Sequence, residues 1–343
     1  MPLRVGVAGP LLGESEGWVP SPGEALAGHL RTEGHDVRTT SPVVGRVGRV
    51  VDTVRTLRRW RGDVDVAVVM VFSGPAFAMA DVSTRVLTGS GIPVVLWLHG
   101  GNLPAFAERH PRWTGRVTRR AAAWVAPSGY LGELASAWDV PGEVVPNALP
   151  TGAAEFRHRQ SVEPRLLWMR TFHDLYRPDL TVEVVDQLRR RGREASLTMA
   201  GQDKGLLPQV KGLVAERGLD ASVRFPGFLD PATKRRELAG HDVFVSTARV
   251  DNAPVSLVEA AAAGLPVVAM RVGGLPDLFE HRETALLSPD GDPAAMADAV
   301  DELLDDAELA SRLSAAGESM GRARTWEQLG PRWQRILEGA AGD

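Results

Sequence analysis

The sequence contains no cysteine. That excludes disulfides, thiolate nucleophiles, iron–sulfur clusters and thiolate zinc sites, and it fits a reducing compartment. Lysine is nearly absent: of the 39 basic residues only Lys204, Lys211 and Lys234 are lysine. With abundant Ala, Gly, Val and Pro, this arginine bias is the composition of a GC-rich bacterial genome; it speaks to source and not to chemistry. The basic residues face 43 acidic ones, leaving a formal charge of −4. The large basic field by which proteins hold nucleic acid is therefore missing. No run of about 18 apolar residues occurs, so no membrane span is expected. The first residues, MPLRVGVAGPLLGESEGW, lack the apolar core of an export signal. The expectation is a soluble cytoplasmic protein.

What is present is a regular alternation over 343 residues, a length that suggests two domains at about 100–200 residues each. Short β-branched runs are read as strands at Leu3–Ala8, Val37–Thr40, Val64–Phe72, Ile92–Leu98, Trp124–Pro127 and Val144–Pro146. Helices are read at Glu24–Thr32, Val47–Trp60 and Gly129–Ala137. Strands apolar on both faces, alternating with helices, imply a parallel sheet covered on both sides. The pattern breaks at Leu149–Pro164, read as a linker, and then restarts. Strands are expected at Arg165–Met169, Ala195–Ala200, Ser222–Phe225, Val243–Ser246 and Pro266–Met270. The helices between and after them are Leu180–Arg190, Leu207–Arg217, Val255–Ala262, Pro293–Leu304, Asp306–Met320 and Trp326–Leu337. Both halves are thus doubly wound α/β, without a close sequence repeat.

The segment Val243–Leu278 reads VFVSTARVDNAPVSLVEAAAAGLPVVAMRVGGLPDL. A strand ends at Ser246, a loop carries Asp251, and a helix begins near Val255 with Glu259 one turn in. In open parallel sheets ligands bind outside the carboxyl ends of the strands. The N–H groups of Val255 and Ser256, reinforced by the helix dipole, suit a diphosphate there. A carboxylate at Glu259 can accept both hydroxyls of a ribose, with Asp251 beyond the phosphates.

Taken as a block, Asp251-x7-Glu259, Ala260–Ala263, Gly264-Leu265-Pro266-Val267-Val268 and Gly273-Gly274 resemble glycosyltransferase family 4, a retaining group. The resemblance implies the GT-B fold: two Rossmann-like domains facing a cleft. Residues 1–150 would bind the acceptor and 151–324 the nucleotide sugar, and a helix at 325–343 would return to the first domain. By the same resemblance Glu259 binds ribose and Asp251, one methylene shorter than the family's glutamate, contacts the donor sugar. Arg170, in LWMRTFHDLYRP, matches the arginine that neutralises the leaving diphosphate. The family's lysine has no counterpart, which leaves Arg177 or Lys204 to supply a second charge. His99, in LHGGN after a buried strand, matches a histidine near the donor sugar and acceptor. Phe228 matches a turn by the base. The loop Gly9–Gly23, including Gly13, matches one bordering phosphate and acceptor.

The implied reaction moves a sugar, with retention, from a nucleoside-diphosphate sugar to a hydroxyl of a small-molecule, glycan or lipid-linked acceptor. Uridine is the favoured base. No cofactor and no metal are implied. Two other functions fit the same architecture: a nucleotide-sugar epimerase and a two-domain sugar-binding protein. The basic stretches Arg55–Arg61 and Arg112–Arg120 raise peripheral contact with an anionic membrane as a further expectation.

Overall fold

The computed structural model describes residues 2–13, 21–150 and 152–342, with Arg46 described by its backbone alone. The chain divides into two compact units, Met1–Ala148 with Trp326–Asp343, and Leu149–Thr325.

The first unit runs β1 (Arg4–Ala8), α1 (Pro22–Thr32), β2 (Asp36–Thr40), α2 (Arg46–Arg59), β3 (Val66–Val71), α3 (Phe77–Gly89), β4 (Val94–Leu98), α4 (Leu103–Arg109), α5 (Pro111–Thr118), β5 (Ala123–Ala126), α6 (Gly129–Ser136) and β6 (Gly142–Val144). The strands form one parallel sheet in the order β2-β1-β3-β4-β5-β6. Because side chains alternate along a strand, β3 feeds two cores: Ala67, Val69 and Val71 pack on one face, and Val66, Val68 and Met70 on the other. Ser21 starts α1 with a capping box: its hydroxyl accepts from Glu24 N–H, and Glu24 accepts from Ser21 N–H.

The second unit runs β7 (Arg165–Met169), α7 (Pro178–Arg190), β8 (Ser196–Ala200), α8 (Leu207–Glu216), β9 (Val223–Gly227), α9 (Pro231–Gly240), β10 (Val243–Ser246), α10 (Val255–Ala262), β11 (Val267–Met270), α11 (Leu275–Leu278), β12 (Leu286–Ser288), α12 (Pro293–Asp305) and α13 (Ala307–Arg322). Its sheet is also parallel, in the order β12-β11-β10-β7-β8-β9. The last helix, α14 (Trp326–Ala341), belongs to the first unit. There Leu329, Trp333 and Leu337 join the core around β3 and β4, and Trp333 meets Trp97 edge-on at 5.0 Å.

The structure adds elements that periodicity misses. α3, α4 and α5, of 13, 7 and 8 residues, have no counterpart among the helices read from the sequence. α9 buries only Leu238, so it has no stripe to find. Its start is instead marked by the Asp230 cap, which accepts from Ala232 and Thr233 N–H, followed by Pro231.

The segment Leu149–Pro164 needs a correction: it is no free linker. Arg157 N–H donates to the carbonyl of Ala263, and Arg159 is 1% exposed. The Arg159 guanidinium donates to the carbonyl oxygens of Arg157 (2.9 Å), Leu238 (2.6 Å), His241 (2.8 Å) and Ala263 (2.5 Å). Burial lowers its pKa to about 10, which leaves it charged at neutral pH. A charged, aperiodic stretch looks like linker in sequence; here the Arg159 charge points inward onto main-chain carbonyls.

Candidate active site

In the second sheet the chain order reverses between β7 and β10, the adjacent strands from which it winds outward in opposite directions. At such a switch point the loops leaving two neighbouring strands diverge and open a crevice at their carboxyl ends. Arg170 directly follows β7, and Asp251 lies in the loop after β10. The two side chains form an ion pair, Arg170 Nη2 donating to Asp251 Oδ2. Asp251 Oδ1 also accepts from Asn252 N–H at 2.9 Å. The guanidinium lies 4.9 Å over the Tyr176 ring, and its Nε is buried with no hydrogen-bond partner.

Two glycines hold this geometry. At Gly201, φ is +153°, and a Cβ would overlap the carbonyl oxygen of Arg170. At Gly273, φ is +51°, and a Cβ would overlap that of Asp251. The next residue, Gly274, donates its N–H to the same Asp251 carbonyl at 3.0 Å. The glycine pair of the sequence block therefore seats the backbone that carries Asp251.

α10 begins at Pro254, with no side-chain cap bond. The N–H groups of Leu257 and Val258 donate to the Pro254 carbonyl, which leaves those of Val255 and Ser256 without an intrahelical acceptor. The Ser256 hydroxyl is buried without a partner. One turn on, the Glu259 side chain is 7% exposed, and Lys234 Nζ donates to its Oε1 at 2.5 Å. Sequence reading did not single out Lys234, because α9, which carries it, has no apolar period; the Asp230-Pro231 start of that helix was the available signal.

The two residues proposed to replace the family's lysine sit differently. Arg177 turns inward at φ 41°. Its Nε and Nη2 donate to the carbonyls of Thr247 (3.0 Å) and Ala248 (3.1 Å), and it pairs with Asp290. It thus braces the loop after β10 from behind. Lys204 lies in the exposed loop after β8, its backbone N–H donating to Phe172 O at 3.2 Å. Phe228 is 47% exposed just past β9.

In the first unit His99 follows β4 and is buried, its ring stacked on Phe72 (5.0 Å) and tilted against Trp97 (4.6 Å). Burial lowers its pKa to about 3, so the ring is neutral at pH 7, with Nε2 unpartnered. Gly13 N–H donates to Glu24 Oε1 at 2.7 Å, tying the loop to the cap of α1; residues 14–20 of that loop lie outside the described residues.

Two Asp-x-Asp spacings occur, the pattern by which transferases of another fold hold a metal. Asp63 and Asp65 pair with Arg38 and Arg4. Asp290 pairs with Arg177, and Asp292 caps α12. Among the described residues no group of three or more histidines and carboxylates is placed to hold a metal ion.

Residues 156–320 match the family described as glycosyl transferases group 1. That match and the named relatives support the glycosyltransferase superfamily for this chain. Among similar proteins, the alpha-D-kanosaminyltransferase of Streptomyces kanamyceticus is 25% identical over 71% of this chain and 68% of its own length. The GDP-mannose-dependent alpha-(1-6)-phosphatidylinositol monomannoside mannosyltransferase of Mycobacterium tuberculosis is 29% identical over 55% of this chain and 52% of its own; the chain thus spans about half of that relative. In structure, the chain resembles Anabaena HepE in complex with UDP-glucose, with a TM-score of 0.76, 14% identity, and coverage of 98% and 99% of the two chains. The fold is GT-B.

Proposed function

We propose that this glycosyltransferase moves a sugar from a nucleoside-diphosphate sugar, a UDP-sugar by preference, to an acceptor hydroxyl with retention at the anomeric carbon. The observation that carries the reading is the meeting of Arg170 and Asp251 at the switch point of the second unit. The uncapped start of α10 follows in the same loop–helix segment, with Glu259 one turn in. The diphosphate would lie on the α10 N–H groups and Arg170, the ribose on Glu259, and the sugar hydroxyls on Asp251. Arg170 and the helix dipole stabilise the negative charge that grows on the leaving diphosphate. No enzymatic nucleophile is assigned, so the acceptor attacks from the face the diphosphate leaves, through an oxocarbenium-like state. No metal enters this scheme. The neutral His99 ring, with a buried, unpartnered Nε2, is assigned to a sugar or acceptor hydroxyl.

Glu259 provides the test. A ribose must displace Lys234 and then donates two charge-assisted hydrogen bonds to the carboxylate, each worth about 1.5–3 kcal/mol. Glu259→Gln is expected to weaken uridine diphosphate binding at least about tenfold in calorimetry, with the melting temperature near that of wild type. Unchanged affinity would remove the ribose assignment.

For the acceptor, we propose one presented at an anionic membrane. Of six exposed large hydrophobic residues among the described residues, four cluster just before and along the start of α2: Val44 (51%), Val47 (80%), Val50 (40%) and Val51 (43%). Arg55, Arg58 and Arg59 are exposed on the same helix, while its one acid, Asp52, accepts from the Ser41 hydroxyl. Apolar side chains flanked by arginine fit the interface of an anionic bilayer. Among the described residues no helix is long and apolar enough to cross a membrane, so the contact is peripheral. The wild-type chain is expected to sediment with phosphatidylglycerol vesicles and not with phosphatidylcholine ones. Val47→Asp with Val51→Asp should abolish that binding, and no binding by wild type at low salt would refute it.

A further inference from the structure

The donor-site charges are already matched within the chain. Arg170 holds Asp251, with side chains 17% and 15% exposed; Lys234 holds Glu259, with side chains 31% and 7% exposed. The two pairs differ in what they obstruct. Lys234 occupies the ribose carboxylate with a charge of the sign a nucleotide welcomes. Asp251 occupies the diphosphate's cation with a charge of the sign a nucleotide repels.

The geometry of the first pair makes the competition direct. Asp251 Oδ2 sits on Nη2 of Arg170. A guanidinium binds a phosphate in two-pronged fashion through either of two edges, and Nη2 belongs to both. The Tyr176 ring covers one face of the group. A phosphate oxygen therefore reaches Arg170 beside a carboxylate in a largely buried setting, where like charges repel far more than in water.

We propose that Asp251 is an internal competitor that discriminates donor from spent nucleotide, by releasing Arg170 only when sugar hydroxyls take its carboxylate. The inference rests on the donor-site reading given under Proposed function. An intact donor brings both replacements at once: phosphate oxygens for Arg170 and hydroxyl donors for Asp251. After transfer the sugar is gone, Asp251 loses its hydroxyl partners, and the carboxylate returns to Nη2 against the diphosphate. The pair thus weakens product binding relative to donor binding, and product leaves without any movement of the backbone. The sequence assigns Asp251 to the sugar alone; the ion pair makes it act on the nucleotide as well, with the opposite sign.

The test is a gain of binding, which a merely structural role does not produce. Asp251→Asn keeps the shape of the side chain and removes its charge. Titrated calorimetrically with uridine diphosphate and guanosine diphosphate, this variant is expected to bind the preferred diphosphate about tenfold more tightly than wild type, the scale of one charge-assisted hydrogen bond. Asp251→Ser should shift in the same direction, and Asp251→Glu, which retains the charge, should not. Transfer should fall in both neutral variants while inhibition by the diphosphate becomes stronger.

If Asp251→Asn and Asp251→Ser, with melting temperatures near wild type, bind no more tightly than wild type, the proposal is overturned. In that case a wild-type affinity still weakened by Glu259→Gln leaves the donor-site reading standing. If neither diphosphate binds wild type or either neutral variant, the donor-site reading falls and this inference with it. Should Asp251→Asn fail to fold, Asp251→Ser alone decides.

Discussion

Arg170→Ala should lower glycosyl transfer by about 10²-fold or more, the scale found when one preorganised electrostatic donor is removed. Negative charge grows on the diphosphate as the glycosidic bond stretches, so a fixed cation favours the transition state over the bound donor. The loss is therefore expected in kcat, with a smaller change in KM. Arg170→Lys keeps the charge and loses the planar fork, and should fall between the two. Arg177→Ala is expected to behave differently. Its guanidinium is spent on the carbonyls of Thr247 and Ala248 and on Asp290, so the variant should lose stability and bind donor poorly because the Asp251 loop loosens. Single-turnover rates with saturating donor separate the two cases. Wild-type turnover in Arg170→Ala would mean that backbone amides alone manage the leaving group.

The second large effect is on stability. Arg159→Met should destabilise the second unit by about 3–5 kcal/mol, the range for removing one partner of a buried charged network. Methionine matches the volume of the side chain but makes none of its hydrogen bonds. The carbonyls of Leu238, His241 and Ala263 are left facing an apolar side chain, and each unsatisfied buried acceptor is unfavourable by about 1–3 kcal/mol. For a unit of this size about 3–5 kcal/mol corresponds to a drop in melting temperature of roughly 10 °C. Arg159→Lys should recover only part of it, since an ammonium cannot span several carbonyls at once. A loss below about 1 kcal/mol in thermal or denaturant unfolding would show that water replaces the guanidinium and that the segment is not anchored by it.

The fold was legible over most stretches where burial imposes a period on the chain, although α3, which buries Phe77, Ala80 and Leu87, has no counterpart among the helices read from the sequence. β7 and β10 lie at Arg165–Met169 and Val243–Ser246, where continuous apolar runs place them, because strands covered on both faces tolerate little else. α10 spans Val255–Ala262, bounded by Pro254 and Gly264 as turn chemistry predicts. Legibility ended where an element buries too little to leave a pattern. α9 packs one leucine and was invisible, and Lys234 with it. It ended also where a charge is buried: Arg159 looks like a solvated linker charge until the carbonyls it meets are known.

The sequence by itself determined the two doubly wound halves, the loop–helix segment that carries Asp251 and Glu259, and the glycine pair that follows. These are local matters, set by side-chain period, turn geometry and the identity of a few residues close in the chain. Tertiary structure decided the pairings. Arg170 and Asp251 are 81 residues apart in sequence, and Lys234 and Glu259 are 25 apart; the first pair meets because strand order reverses between β7 and β10. A charge in a sequence carries a sign and a reach, but the group that answers it depends on which strands become neighbours, and that is fixed only when distant apolar runs pack into one sheet.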